Sequence, residues 1–181
     1  MPNETKNYGT VITTAGAALI AKCILNGGKV NIKTAAAGDG GGEYYEPTVG
    51  QTALRGKKWE GDVASAAVST TNANMIDVKI TIDDSVGGFT IREMGLFDDD
   101  GTLIAICNTP DTEKVSTDGG VSGKLTMIMH IVVADASVVS FTITPALDTV
   151  SRAEMESALA EHNTNGTSHS DIRALALNAV Q

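Results

Sequence analysis

The run Gly38-Asp39-Gly40-Gly41-Gly42 is the first stretch whose composition suggests chemistry, because glycine-rich loops can cradle phosphate. A phosphate loop ends in Gly-Lys-Ser/Thr and leads into a helix. A dinucleotide loop spaces its glycines as Gly-x-Gly-x-x-Gly between a strand and a helix. Here the run ends in Glu43, which would repel a phosphate. A turn that lets two backbones pass closely is the better reading. Asp98-Asp99-Asp100 lacks the alternating oxygen ligands and distal Glu of a calcium loop and reads as a solvated turn. Glu43 and Glu46 have the chemistry of a glycosidase pair, but nothing in the sequence sets their separation. There is no nucleophile elbow and no HExxH. Neither Cys23 nor Cys107 comes with an identifiable catalytic His and Asn. The sequence points away from catalysis and calls for no cofactor.

Arg92 and Glu93 are more informative. In a strand from Phe89 to Phe97, alternation puts Phe89, Ile91, Glu93 and Phe97 on one face. Thr90, Arg92, Met94 and Leu96 fall on the other. Each face then carries one charge among apolar neighbours, and a buried charge must be paired. The pair reads either as an internal ion pair or sheet-edge device, or as a subunit contact. The histidines are His130, inside a strand, and His162 and His169 near the C-terminus. The last two read as polar turn residues. Only on a three-fold axis would their rings recur around one point and offer imidazole to a transition metal.

The elements that must position these residues follow from periodicity. Thr13-Thr14 before an Ala-rich run and Asn26-Gly27-Gly28 after it predict a helix at about 14–25, much of it buried. A short strand follows over 29–34. Residues 52–69 are ambiguous between strand and weak helix. Alternating apolar residues predict strands at 76–82, 89–97, 102–107, 124–133 and 137–144, with a hairpin turn at Asp100-Gly101. Residues 108–123 read as a loop. After Pro145, Ser151-Arg152-Ala153-Glu154 fits a capping box, and a helix to about His162 precedes a second one from Ile172. Met155, Leu159 and His162 have the 4–3 spacing of a coiled seam. The class expected is α+β: a mainly antiparallel sheet with a packed N-terminal helix (residues 1–146), then a short helical trimerisation or stalk segment (147–181).

Composition narrows the function. The 181-residue chain carries 13 basic and 22 acidic side chains, a formal charge of −9. A nucleic-acid partner is therefore not expected, since binding phosphates needs a basic face. No run approaches the ~18 apolar residues of a membrane span, so membrane insertion is not expected either. No signal peptide is visible. Two cysteines in a chain of this length are not a disulfide framework, which suits assembly in a reducing cytoplasm.

Three separated stretches carry a resemblance. Val11-Ile12-Thr13-Thr14-Ala15-Gly16-Ala17 comes first. Val30-Asn31-Ile32 with Gly38-Asp39-Gly40-Gly41-Gly42 follows. The third runs from Gly87-Gly88-Phe89 through Arg92-Glu93-Met94-Gly95 to Asp98. In order and spacing they resemble the N-terminal domain of phage tail-collar fibre proteins, over about residues 9–145. Residues Glu161 to Arg173 also resemble a short element repeated in phage fibres, with Ser168 in place of the usual alanine. The resemblance implies a structural virion protein of a contractile tail or phage tail-like particle. It implies a homotrimer anchored to a baseplate protein, assembled in the host bacterium's cytoplasm. A distal fibre region would meet the host receptor, so this chain would do so only indirectly. Gly38, Asp39, Gly40, Gly41, Gly42, Gly87, Gly88, Arg92, Glu93 and Gly95 would then serve structure or assembly, as would Met155 and Leu159. Two other readings remain: a baseplate or tail protein that is not a fibre, and a receptor- or glycan-binding or glycan-cleaving tail protein.

Overall fold

The computed structural model describes residues 6–116, 120–143 and 160. Two sheets dominate it. The larger has the order β1 (Thr10–Ile12), β7 (Leu103–Lys114), β6 (Phe89–Asp98), β2 (Val30–Gly38), β3 (Lys57–Asp62). β9 (Val139–Phe141) pairs in parallel with the first residues of β2. The smaller sheet has the order β4 (Ser65–Val68), β5 (Met75–Ile82), β8 (Leu125–Val132), all antiparallel.

The period-2 pattern explains the core. Ile76, Val78, Ile80 and Ile82 of β5 face inward with Met129 and Ile131 of β8 and Val133 just beyond it. They join Ile32, Ala35, Ala37, Ile91, Met94 and Leu96 of the larger sheet in one apolar cluster. Burying each large aliphatic side chain is worth roughly 1.5–3 kcal/mol, so this cluster is the main source of stability.

The one α-helix among the described residues, α1 (Thr14–Asn26), begins and ends where its capping residues predict. The Thr13 hydroxyl accepts from the Gly16 amide at 3.0 Å and donates to the Leu103 carbonyl at 2.5 Å. Gly27, at φ 70°, closes the helix by donating its N–H to the Cys23 carbonyl. The expected burial of α1 does not hold. Within it only Gly16 and Ile20 are buried, and Leu25 is 84% exposed.

The α+β expectation with a helical stalk is corrected to a mainly β fold, with nine strands against one α-helix among the described residues. Three local reasons account for it. The ambiguous segment 52–69 contains two strands, β3 and β4. β7 does not stop at Cys107 but continues to Lys114, through a stretch whose Asn, Thr, Pro and Asp read as a loop. There Thr109, Pro110 and Asp111 stand opposite the single residue Arg92, so the bulge admits a proline that regular pairing would exclude. β1 is a further strand, added to the edge of β7. Met155, Leu159, His162 and His169 lie outside the described residues.

α1 docks on β7 through Gly16, where any Cβ would fall on the carbonyl oxygen of Ile104. Helix propensity alone favours Gly16→Ala by about 1 kcal/mol. The clash with fixed backbone reverses the sign, and overpacking of this kind costs about 1–3 kcal/mol. Gly16→Ala is therefore expected to lower the urea midpoint. A midpoint at or above that of the parent would show that α1 does not rest on β7 as described.

Candidate functional site

β6 lies inside the larger sheet, and both of its faces are covered. Ile91, Met94 and Leu96 belong to the apolar core. Glu93 and Gly95 are covered instead by the segment running from Gly38 to Gly56. Glu93 is fully buried. Its Oε2 accepts from the Tyr45 hydroxyl and from the Arg55 amide at 3.0 Å, and its Oε1 accepts from the Gly56 amide at 2.7 Å. The buried acid is thus met by two backbone amides and a phenol, with no cation. An ionised carboxylate can only accept, and these three donors are what its burial requires.

The glycine run closes this arrangement. A Cβ on Gly38 would lie 2.5 Å from Glu93 Oε1 and 2.6 Å from the Gly56 carbonyl oxygen. Gly40, Gly41 and Gly42 have φ of 69°, 78° and 93°, a left-handed path that L side chains rarely adopt. Asp39 ties the two ends of the segment together. Its amide donates to the Gly56 carbonyl at 2.9 Å and its Oδ1 accepts from the Gly41 amide at 2.9 Å. Its Oδ2 lies 3.0 Å from the Lys58 ammonium. Burial pushes the Asp39 carboxyl up, but the Lys58 and Gly41 hydrogen bonds and the Lys58 and Arg92 charges outweigh it and hold it below the ordinary value. Burial, reinforced by Glu93, pushes the Tyr45 phenol far above its ordinary value, so Tyr45 stays a donor. The Arg55 guanidinium stacks 3.7 Å from the Tyr45 ring centre.

The structure therefore brings Gly38, Asp39, Gly40, Arg92, Glu93 and Gly95 together. Arg92 forms a forked pair with Asp111 at 3.1 and 3.0 Å and reaches the Asp39 carbonyl at 3.4 Å. Gly95 faces Leu54, whose Cδ1 would lie 2.5 Å from an added Cβ. Gly87 and Gly88 sit elsewhere, where the chain crosses the end of β7 against the Val115 carbonyl. The Gly88 amide donates to the Lys114 carbonyl at 2.8 Å.

Asp98 turns the β6–β7 hairpin by accepting from the Asp100 and Thr102 amides, and Asp99 accepts from Asn31. Glu43 and Glu46 are both exposed, and Glu46 accepts from the Tyr44 hydroxyl at 3.3 Å. Burial lifts the Cys107 thiol to about 12, which leaves it neutral and a poor nucleophile. His130 pairs with Asp77 at 2.7 Å on the outer face of the smaller sheet.

Sequence reasoning missed Tyr45, Arg55 and Gly56 because two of the three donors are backbone amides, which leave no mark on residue type. It also missed buried Asn108, which accepts from the Gly9 amide and donates to the Asn7 and Tyr45 carbonyls. Lys114 is buried as well and donates to the Gly123 carbonyl at 2.7 Å.

Two predictions follow from this geometry. Glu93→Ala leaves three donors without a partner and is expected to cost about 3–5 kcal/mol in urea unfolding. Arg92→Ala, at a half-exposed pair, is expected to cost no more than about 1 kcal/mol. Equal losses would refute the division of labour between them. Because the folded-state pKa of Asp39 is depressed, its contribution is present above the unfolded value. It is lost as pH falls through the folded value. Asp39→Asn should therefore flatten the acid-side loss of stability below the ordinary value of 3.8. Unchanged acid dependence would contradict the Asp39 geometry.

Comparison with known proteins agrees with this picture. The chain is 38% identical over 156 residues to a probable tail fiber protein of Escherichia phage P2, an alignment covering 86% of this chain and 23% of that one. No solved structure matches it. Residues 5–153 match the family described as phage tail-collar fibre protein, N-terminal. The chain belongs to the phage tail-collar fibre protein family, as its N-terminal part, and is a structural tail-fibre protein.

Proposed function

We propose that this folded unit is the attachment end of a tail fibre. In this reading it forms a homotrimer, docks on a baseplate protein of a contractile tail, and carries the fibre that meets the host surface. The observation that carries the reading is the extent of the match. The family region, residues 5–153, takes in the whole compact unit Met1–Thr144 except its first residues. The chain spans only 23% of the P2 relative's length. A compact N-terminal unit at the head of a much longer fibre protein is placed to join, while length beyond it is placed to reach.

The chemistry of the site supports joining over turnover. Glu93, Tyr45 and Asp39 spend their hydrogen bonds on holding one segment against a sheet. A surface carried by a rigid element meets a partner with less ordering entropy than a mobile loop. Assembly in the bacterial host's cytoplasm agrees with two cysteines that are both free thiols.

Light scattering of the full chain in solution tests the oligomeric part of this reading. The expected mass is three times the 18.7 kDa of one chain. A monomer at micromolar concentration would remove the trimer from the proposal.

A further inference from the structure

This fold leaves two sheet edges beside each other. Among the described residues, β1 ends the larger sheet and is hydrogen-bonded to β7 alone, while β8 ends the smaller sheet and is bonded to β5 alone. The two strands run close without pairing. An open cleft of about 380 Å³ lies where they meet. Gly9 and Thr10 border it from β1 and the residue before it, and Met127, Ile128, Met129 and His130 border it from β8. Successive residues of a strand point to opposite faces. Four successive residues at one cleft therefore mean that β8 presents its edge, with its backbone donors and acceptors. Met94 and Cys107 add apolar surface, and Tyr8, Asn108, Thr109 and Thr112 add neutral polar groups.

Two features set this edge apart. Exposed edges are ordinarily guarded by charge, proline or a bulge. β8, Leu-Thr-Met-Ile-Met-His-Ile-Val, has no Lys, Pro or Gly, pairs with β5 without a register break, and leaves Ile128 and Val132 51% and 60% exposed. The cleft is also uncharged for its setting. No Asp, Glu, Lys or Arg lines it, in a chain that carries 35 of them (13 and 22).

These features select the occupant. A charged ligand would lose its hydration to a wall that offers no counter-charge. A small apolar molecule would fill the space but leave the strand's N–H and C=O groups unmet. An extended polypeptide answers both, with main-chain bonds along the edge and neutral side chains toward the methionines, whose flexible thioethers adapt to varied shapes. A second copy of this chain is disfavoured, because β8-to-β8 pairing is two-fold and does not fit the three-fold assembly proposed above.

We propose that the β1–β8 cleft is a strand-acceptor site, which takes an extended, uncharged segment of a different protein by main-chain pairing to the edge of β8. The acceptor edge rests on the cleft itself, and the choice of a different protein over a second copy rests on the three-fold reading above.

The test uses the full chain and a capped, uncharged hexapeptide of alternating Val and Thr. Two further peptides of the same sequence are N-methylated at every other residue, one in each register. Hydrogen exchange should slow at residues 127–130 as the first peptide is added, with saturable binding at millimolar concentration or below. N-methylation removes the donors along one edge and should weaken binding at least about tenfold, since each main-chain bond contributes about 0.5–1.5 kcal/mol. Gly9→Leu should weaken it similarly while the chain stays folded, because nothing lies within 4 Å of a Cβ at Gly9. Absence of saturable binding, or equal binding of methylated and unmethylated peptides, would overturn the proposal. So would protection of β8 that appears with rising protein concentration alone, since it would make the occupant a second copy.

Discussion

A carboxylate buried in the middle of a sheet must find donors, and strands cannot supply them. The amides of β2, β6 and β7 are engaged in their ladders. Glu93 therefore draws its donors from the connection between β2 and β3, which folds back so that the amides of Arg55 and Gly56 and the hydroxyl of Tyr45 converge on it. Much else follows from this convergence. Gly38 has no room for a side chain because the carboxylate occupies it, and Gly56 has none because Asp39 does. The glycine run takes the left-handed path that carries the chain over the sheet. An unpaired charge at this depth would cost several kcal/mol, so sheet and connection are stable together and not separately.

The consequence is a sheet covered on both faces by different means. On one face the smaller sheet and α1 supply aliphatic bulk. On the other, a long connection with little regular structure is fastened by hydrogen bonds to one acid. A connection of this length would ordinarily be a mobile element. Here it is held at Glu93, at Asp39 and at Asn108, which ties the segment before β1 to the Tyr45 carbonyl. Such a clamp makes the segment part of the rigid fold of this structural tail-fibre protein. A segment fastened in this way carries no entropy cost of ordering a loop.

Much of the fold was legible in the sequence, for identifiable reasons. β5 and β8 alternate cleanly because one face of the smaller sheet meets the core and the other meets solvent. The caps of α1 were visible because Thr13 and Gly27 are residue types with specific backbone roles. β7 beyond Cys107 was not visible, because Asn108 and Pro110 are turn residues by composition and become strand residues only through tertiary bonds and a bulge. The α+β reading failed for a related reason. Short strands such as β1, β3 and β4 take their stability from neighbours rather than from their own pattern. The candidate site was half visible. Alternation flagged Arg92 and Glu93, but its assignment of one charge to each face fails at the bulge. Ile91 joins Met94 and Leu96 in the core, while Glu93 and Arg92 both bond to the 38–56 segment. The demand that a buried charge be paired suggested an ion, whereas Glu93 is paired by amides and a phenol.

Glu93 fastens the 39–56 segment to the sheet. Native-state hydrogen exchange at the amides of Arg55 and Gly56 measures it directly. Both amides lie outside any strand or helix, yet they should exchange only with global unfolding, at the same free energy as the amides of β6. Exchange at the rate of an open loop would mean that the segment leaves the sheet while the core stays folded, and would contradict the account.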